Sequence, residues 1–170
     1  MSPMSDSPPS LSTSESFGHN LRMTNQLIQR DLSARLARMG LGIGQWFALR
    51  ALWEGDAITQ SELAQRSGIA GPAMVATIRN LLEAGLVTRH RPEGDRRKYV
   101  ICLTERGRAL ERPALESALE ANALALSGVA AEDVAASLRV LRAAQQNLQA
   151  AAQDFQLSPH AEAMIALAGK

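Results

Sequence analysis

Apolar and polar positions along the chain alternate with helical spacing over most of its length, broken twice by short extended runs. Leu21, Thr24, Leu27, Ile28, Leu32, Arg35 and Leu36 fall largely on one stripe and predict a helix over residues 17–38. Gly40, Gly42 and Gly44 interrupt the pattern. A second helix is predicted over 45–54, presenting Phe47, Leu49, Ala51 and Leu52, with Gly55 at its C-terminal end. Thr59 followed by Glu62 has the form of a capping box, in which each side chain satisfies the other's backbone N–H. It opens a short helix over 60–66 with Leu63 and Ala64 inward, followed by a Ser67-Gly68 turn. Gly71-Pro72 starts the next helix, because proline at the first helical position loses no hydrogen bond. Met74, Val75, Ile78, Leu81 and Leu82 form its predicted apolar stripe as far as about Ala84, and Gly85 ends it.

The extended runs follow directly. Residues 86–91 and 98–103 contain Val87, Tyr99, Val100 and Ile101, residues that suit a pleated surface. Pro92-Glu93-Gly94-Asp95 supplies the turn between them. Thr104-Glu105 then opens a helix predicted to run to about Ser127, with Pro113 either kinking it or falling near a helix start. A last helix is predicted over 132–155. Its Val134, Leu138, Leu141, Gln145, Leu148, Ala152 and Phe155 are spaced alternately by four and three, a heptad seam that calls for a partner helix. Residues 1–15, rich in Ser and Pro, read as a disordered arm, and residues 156–170 as a tail with a candidate Ala-rich helix over 161–168. The predicted architecture is mainly α with one small β-hairpin. Two short helices joined by a tight turn and followed by that hairpin form a winged helix-turn-helix, flanked by long N- and C-terminal helices.

Composition narrows the function. The chain has 170 residues, 46% of them apolar but only 4% aromatic, with a net charge of +1. Overall charge therefore gives no support for nucleic-acid binding, and only a local cluster does. That cluster exists: Arg89, Arg91, Arg96, Arg97 and Lys98 crowd around the hairpin, with Arg106 and Arg108 close behind. Guanidinium groups on a wing reach phosphates and the narrow, electronegative minor groove. A merely solvated, charged hairpin is the bland alternative, and a helical dimerisation or protein-interaction module whose hairpin binds an acidic partner is the rival function. Cys102 is the only cysteine, which excludes an intramolecular disulfide, and its strand position suits a small buried hydrophobe. His19, His90 and His160 show no metal-ligand spacing, so neither a metal nor another cofactor is expected. No apolar run approaches the roughly 20 residues that span a bilayer, and the start of the chain lacks signal-peptide character. With no phosphate loop or nucleophile motif either, a cytoplasmic non-enzyme is expected.

The segments Thr59-Gln60-Ser61-Glu62-Leu63-Ala64, Leu81-Leu82-Glu83-Ala84-Gly85-Leu86-Val87, Asp95-Arg96-Arg97 and Leu103-Thr104-Glu105-Arg106-Gly107 together resemble the signature of MarR-family transcriptional regulators, over residues 17–155. The resemblance implies a homodimer held together by its long N- and C-terminal dimerisation helices, on a pseudo-palindromic double-stranded operator, most often a repressor released by a small aromatic ligand. It places Asp95 as the carboxylate that orients the wing-tip Arg97, although Asp95 also suits a turn residue bonding its own backbone. Helix geometry and the resemblance together place Ala73, Ala76, Thr77 and Asn80 toward the major groove, flanked by Arg79. Gly71 and Pro72 stand at a helix N-terminus suited to phosphate. Two departures stand out. The helix is capped by Ala70-Gly71 where relatives often have Ser or Thr, and Ala76 stands where they often have Arg. That shifts the expected readout toward thymine-methyl contacts and DNA shape. For the effector, Trp46 and Arg50 share a helix face at i and i+4 and suit an aromatic acid, with His19 and Arg22 completing a site. Trp46 as core and Arg50 paired with Glu54 is the competing reading.

Overall fold

The computed structural model describes residues 11–91 and 98–156. The chain divides into two units, Met1–Ala125 and Leu126–Lys170. In the first, the order is α1 (Phe17–Ala37), α2 (Ile43–Glu54), β1 (Ile58–Thr59), α3 (Gln60–Ser67), α4 (Gly71–Glu83), β2 (Val87–His90), β3 (Val100–Leu103), α5 (Glu105–Ala109) and α6 (Glu111–Ala125). In the second, α7 spans Ala131–Gln156.

Helix α2 is the centre of the first unit. Trp46, Ala48, Leu49, Ala51 and Leu52 are all buried, so little of this helix faces water. Around it gather Leu32 and Leu36 of α1, Leu63 of α3, Met74, Ile78 and Leu81 of α4, Ile101 and Leu103 of β3, and Ala114 and Ala121 of α6. Trp46 and Trp53 meet edge to face at 5.8 Å. The Trp53 indole N–H donates to the Gly107 carbonyl at 3.1 Å, tying α2 to α5. Arg35 lies on the α1 stripe because it links helices: it pairs with Asp31 one turn back and with Glu120 on α6.

The residues just before α1 form a turn. Ser16 caps α1 by accepting from the His19 N–H, and the Asn20 amide donates to the carbonyls of Ser14 at 3.0 Å and Ser16 at 2.9 Å. These bonds hold the last turn before the helix. The capping box is present as read: the Thr59 N–H donates to Glu62 Oε2 at 2.8 Å, and the Glu62 N–H donates to Thr59 Oγ1 at 3.3 Å. Gly68 ends α3 in the left-handed region, at φ 68°, where a side chain would be strained.

The hairpin gains a third strand that the sequence pattern did not reveal. Strand order is β1-β3-β2, antiparallel throughout, with Ile58 opposite Ile101 and Arg89 also opposite Ile101 from the other side. Cys102 alternates outward between buried Ile101 and Leu103, so it is half-buried rather than buried. Burial pushes its thiol above the ordinary range, with Asp56 adding to the shift.

The single helix predicted over 104–127 is two. It breaks at Leu110, and Pro113 falls in the first turn of α6. Without an N–H, Pro113 has no donor for the Ala109 carbonyl four residues back, so a continuous helix is disfavoured there. Gly107 shows why this junction is tight. A Cβ at that position would lie 2.1 Å from the Leu86 carbonyl oxygen.

Val134 and Leu141 of α7 are half-buried, while Leu138, Gln145, Leu148 and Ala152 of the predicted seam are exposed. Residues 157–170, including the candidate helix over 161–168, lie outside the described residues.

Candidate nucleic-acid interface

Helix α4 buries Met74, Thr77, Ile78 and Leu81 against the core. Gly71, Pro72, Ala73, Ala76, Arg79 and Asn80 are exposed, as the sequence placed them. Thr77 is not. It is only 9% exposed, its hydroxyl donates to the Ala73 carbonyl at 2.9 Å, and it packs close to Gly44. Satisfied within its own helix, that hydroxyl can face the core at little cost. Val75 and Leu82, read as core, are correspondingly exposed. Ala70 provides no side-chain cap, which leaves the Gly71 and Ala73 N–H groups at the helix start without an intrahelical partner.

Beside α4 the hairpin carries its cations on an aromatic platform. Arg89 lies 4.2 Å and Arg91 4.6 Å from the Tyr99 ring centroid, and Arg91 also donates to the Tyr99 hydroxyl. Register explains this. His90 pairs with Val100 and Arg89 with Ile101, so the next step along puts Arg91 across from Tyr99, with Arg89, two residues away on the same strand face, as the diagonal neighbour. Among the described residues neither guanidinium has a carboxylate partner. Lys98 is exposed just before β3 and, with Arg89, Tyr99 and the first turn of α3, lines an open cleft of about 470 Å³. Asp95, Arg96 and Arg97 lie outside the described residues.

Two arginines counted in the basic cluster have structural work instead. Arg106 donates to the Ala84 carbonyl at 3.0 Å, closing the end of α4. Arg108 pairs with Asp56 at 2.6 Å. Asp56, which the sequence reading missed, also accepts the N–H groups of Leu103 at 2.9 Å and Ala57 at 2.8 Å. Burial works to raise its carboxyl, but these two bonds and Arg108 outweigh it and hold the group below the ordinary carboxylate range.

Of the four residues proposed for an effector, Trp46 and Arg50 are adjacent, and His19 and Arg22 do not join them. Trp46 is 1% exposed and belongs to the core, because α2 is buried on nearly every side; it has no free face for a ligand. Arg50 is exposed, 5.9 Å from the Trp46 ring centroid and 3.9 Å from Glu54. It lines a cleft of about 280 Å³ with Phe47, Ala51, Glu54, Arg66 and Ser67. His19 is half-buried at the first turn of α1, and Arg22 is exposed with its guanidinium near the Met23 sulfur. Neither lines the Arg50 cleft. Thirteen residues of helix separate His19 from Leu32, about 20 Å along the axis.

A family model described as the MarR family matches residues 41–99. The HTH-type transcriptional repressor Rv2887 of Mycobacterium tuberculosis is 31% identical over 98 residues, 58% of this chain and 70% of that protein. The chain belongs to the MarR family. Consistent with that membership, a crystal structure of Rv2887 in complex with salicylic acid matches with TM-score 0.62 and 27% identity, over 82% of this chain and 98% of that one. The structure of Bordetella bronchiseptica BpsR, whose DNA binding is regulated by 6-hydroxynicotinic acid, shares the fold: TM-score 0.70, 23% identity, 75% and 97% coverage. The homoprotocatechuate degradative operon repressor of Escherichia coli is 36% identical over 66 residues, 39% of this chain and 45% of that protein. This MarR-family protein is thus a transcriptional regulator with a DNA-binding winged helix, in which α3 and α4 form the helix-turn-helix and β2 and β3 the wing. Its relatives are named as regulators, not enzymes. Among the described residues, no helix is long and apolar enough to cross a membrane.

Proposed function

We propose that this MarR-family regulator is a homodimeric repressor that binds a pseudo-palindromic operator and releases it on binding a small aromatic acid. The observation that carries the DNA-binding geometry is the exposed face of α4 lying next in the chain to a wing whose Arg89 and Arg91 are stacked on Tyr99. Helix α4 enters the major groove by its exposed face, with Gly71, Pro72, Ala73 and Ala76 toward the bases and Arg79 and Asn80 behind them. The wing follows the adjacent backbone and minor groove, where Lys98, Arg96 and Arg97 supply the cations and Asp95, by the family resemblance, the partner of Arg97.

Dimerisation is supported by apolar surface that a lone chain leaves in water. Phe17, Leu21 and Leu27 on α1 and Leu119 and Leu124 on α6 are exposed, and so are Leu138 and Leu148 on α7. Between α1 and α6 runs a groove of about 250 Å³ lined by Thr24, Leu27, Ile28, Ala121, Leu124 and Ala125. A second copy covers these surfaces and sets the two α4 helices one helical turn of DNA apart, roughly 34 Å.

For the effector, the Arg50 cleft is the site we favour. Arg50 clamps the carboxylate and Phe47 provides the aromatic wall, with Trp46 behind it as core. His19 and Arg22 belong to this site only if the partner chain supplies them. The ligand class is supported by the aromatic acids found with Rv2887 and BpsR. The decisive experiment selects duplexes from a random pool with the full-length protein, with and without salicylate. A paired, inverted motif is expected, with a dimer mass in sedimentation; asymmetric single half-sites bound by a monomer would contradict the proposal.

A further inference from the structure

Helix α4 inverts the usual relation between polarity and burial. Thr77 is turned into the core, while Val75 stands 55% exposed two residues earlier. Helical spacing puts Pro72, Val75, Ala76 and Arg79 at i, i+3, i+4 and i+7, along one outer face, with Ala73 and Asn80 on its other margin. Every exposed side chain in the first two turns of that face is therefore apolar and small. The first polar side chains on it are Arg79 and Asn80, in the third turn.

A recognition helix brings its N-terminal residues to the base edges. Those residues here carry no side-chain donor or acceptor that could read guanine, adenine or cytosine. The one apolar group that the major groove displays is the C5-methyl of thymine. We propose that the first two turns of α4 recognise thymine methyl groups, with Val75 as the main contact, and that each operator half-site carries thymine at the base pairs facing Val75 and Ala76. This rests on α4 being the helix that enters the groove. It also gives Val75 a reason for its exposure: the side chain is buried only when DNA is bound.

The test uses the full-length protein and the duplex it enriches most from a random pool. Each thymine of a half-site is replaced singly by deoxyuridine, which removes the methyl and leaves the base-pairing edge intact. Affinity is read by fluorescence anisotropy. At one or two positions per half-site the replacement should weaken wild-type binding about fourfold, the equivalent of ~0.8 kcal/mol for one buried methyl. Val75→Ser should bind the thymine and deoxyuridine duplexes equally at the position it faces, while Val75→Ile should keep the difference. Circular dichroism confirms that each variant is folded. If no deoxyuridine replacement weakens wild-type binding, methyl reading is overturned. If Val75→Ser keeps full sensitivity at every position, the assignment to Val75 is overturned. If the wild type enriches no duplex and shows no salt-sensitive binding, the reading of α4 as a recognition helix fails and takes this proposal with it.

Discussion

Replacing Gly107 with alanine should destabilise the protein, although helix propensity alone argues the reverse. Gly107 sits in α5, where alanine is favoured over glycine by about 1 kcal/mol. Packing opposes this. The new methyl would lie 2.1 Å from the Leu86 carbonyl oxygen and 3.2 Å from Leu103 Cδ2. Relief requires the backbone segments to separate by roughly 1.4 Å, given ordinary contacts near 3.5 Å. That carbonyl accepts both the Thr104 N–H and the Thr104 hydroxyl at 3.1 Å, and the Gly107 carbonyl accepts from Trp53. Overpacking of this kind costs about 1–3 kcal/mol, and weakening two or three hydrogen bonds adds about 0.5–1.5 kcal/mol each. After subtracting the propensity gain of about 1 kcal/mol, the net loss is about 1–6 kcal/mol. Urea unfolding followed by circular dichroism measures it, at fixed protein concentration because a dimer's stability depends on concentration. Since Leu86 leads into β2 and Thr104 follows β3, the same variant should lose DNA affinity through a displaced wing. A Gly107→Ala protein within about 1 kcal/mol of wild type would show that the junction yields freely and refute this reasoning.

Tyr99→Leu should weaken duplex binding by about fivefold or more, because each of the two freed guanidiniums costs about 0.5–1.5 kcal/mol to order again. The salt slope should stay unchanged, since no charge is lost, and Tyr99→Phe should bind nearly as wild type; wild-type affinity in Tyr99→Leu would remove the platform's role. Asp56 is held below its ordinary pKa, so the stability it contributes is present above the unfolded-state value near 3.9 and is lost as pH falls through the lower folded value. Acid titration of unfolding should therefore show a smaller loss for Asp56→Asn than for wild type below about pH 4, from a lower starting stability at neutral pH; identical acid slopes would contradict this. Arg50→Ala should blunt release of DNA by salicylate without changing affinity in its absence, and an intact response would place the effector elsewhere.

Much of this fold was legible because its boundaries are written in local chemistry. The Thr59–Glu62 capping box, Pro72 at a helix start and the Gly85 stop each act over a few residues, and each holds in the structure. The errors have a common physical source: sequence spacing does not reveal what lies across from a residue. Thr77 and Val75 exchanged sides because a threonine bonded to its i−4 carbonyl is as admissible in a core as a valine. Trp46 resembled a ligand platform because α2 has no clear polar face to contrast with its apolar one. Arg108 looked like part of the wing until its partner, Asp56, appeared 52 residues away in sequence. Strand β1, at two residues, is too short for any alternation to register. The stacking of Arg89 and Arg91 on Tyr99 had a usable signal in the strand period, since the turn fixes which residues face each other.

The central claim is that the basic hairpin is a DNA-binding wing beside a recognition helix. Its most direct test is the affinity of a labelled, selected duplex against salt concentration, for wild type and Arg97→Ala. The logarithm of wild-type affinity should fall linearly with the logarithm of salt. Arg97→Ala should lose about 1–3 kcal/mol of affinity if that side chain reads the groove, and the slope should become shallower by roughly one if it neutralises a phosphate. A folded wild-type protein with no salt-dependent affinity for any duplex, or a folded Arg97→Ala variant indistinguishable from it in both affinity and slope, would contradict the account and favour an acidic protein partner for the hairpin.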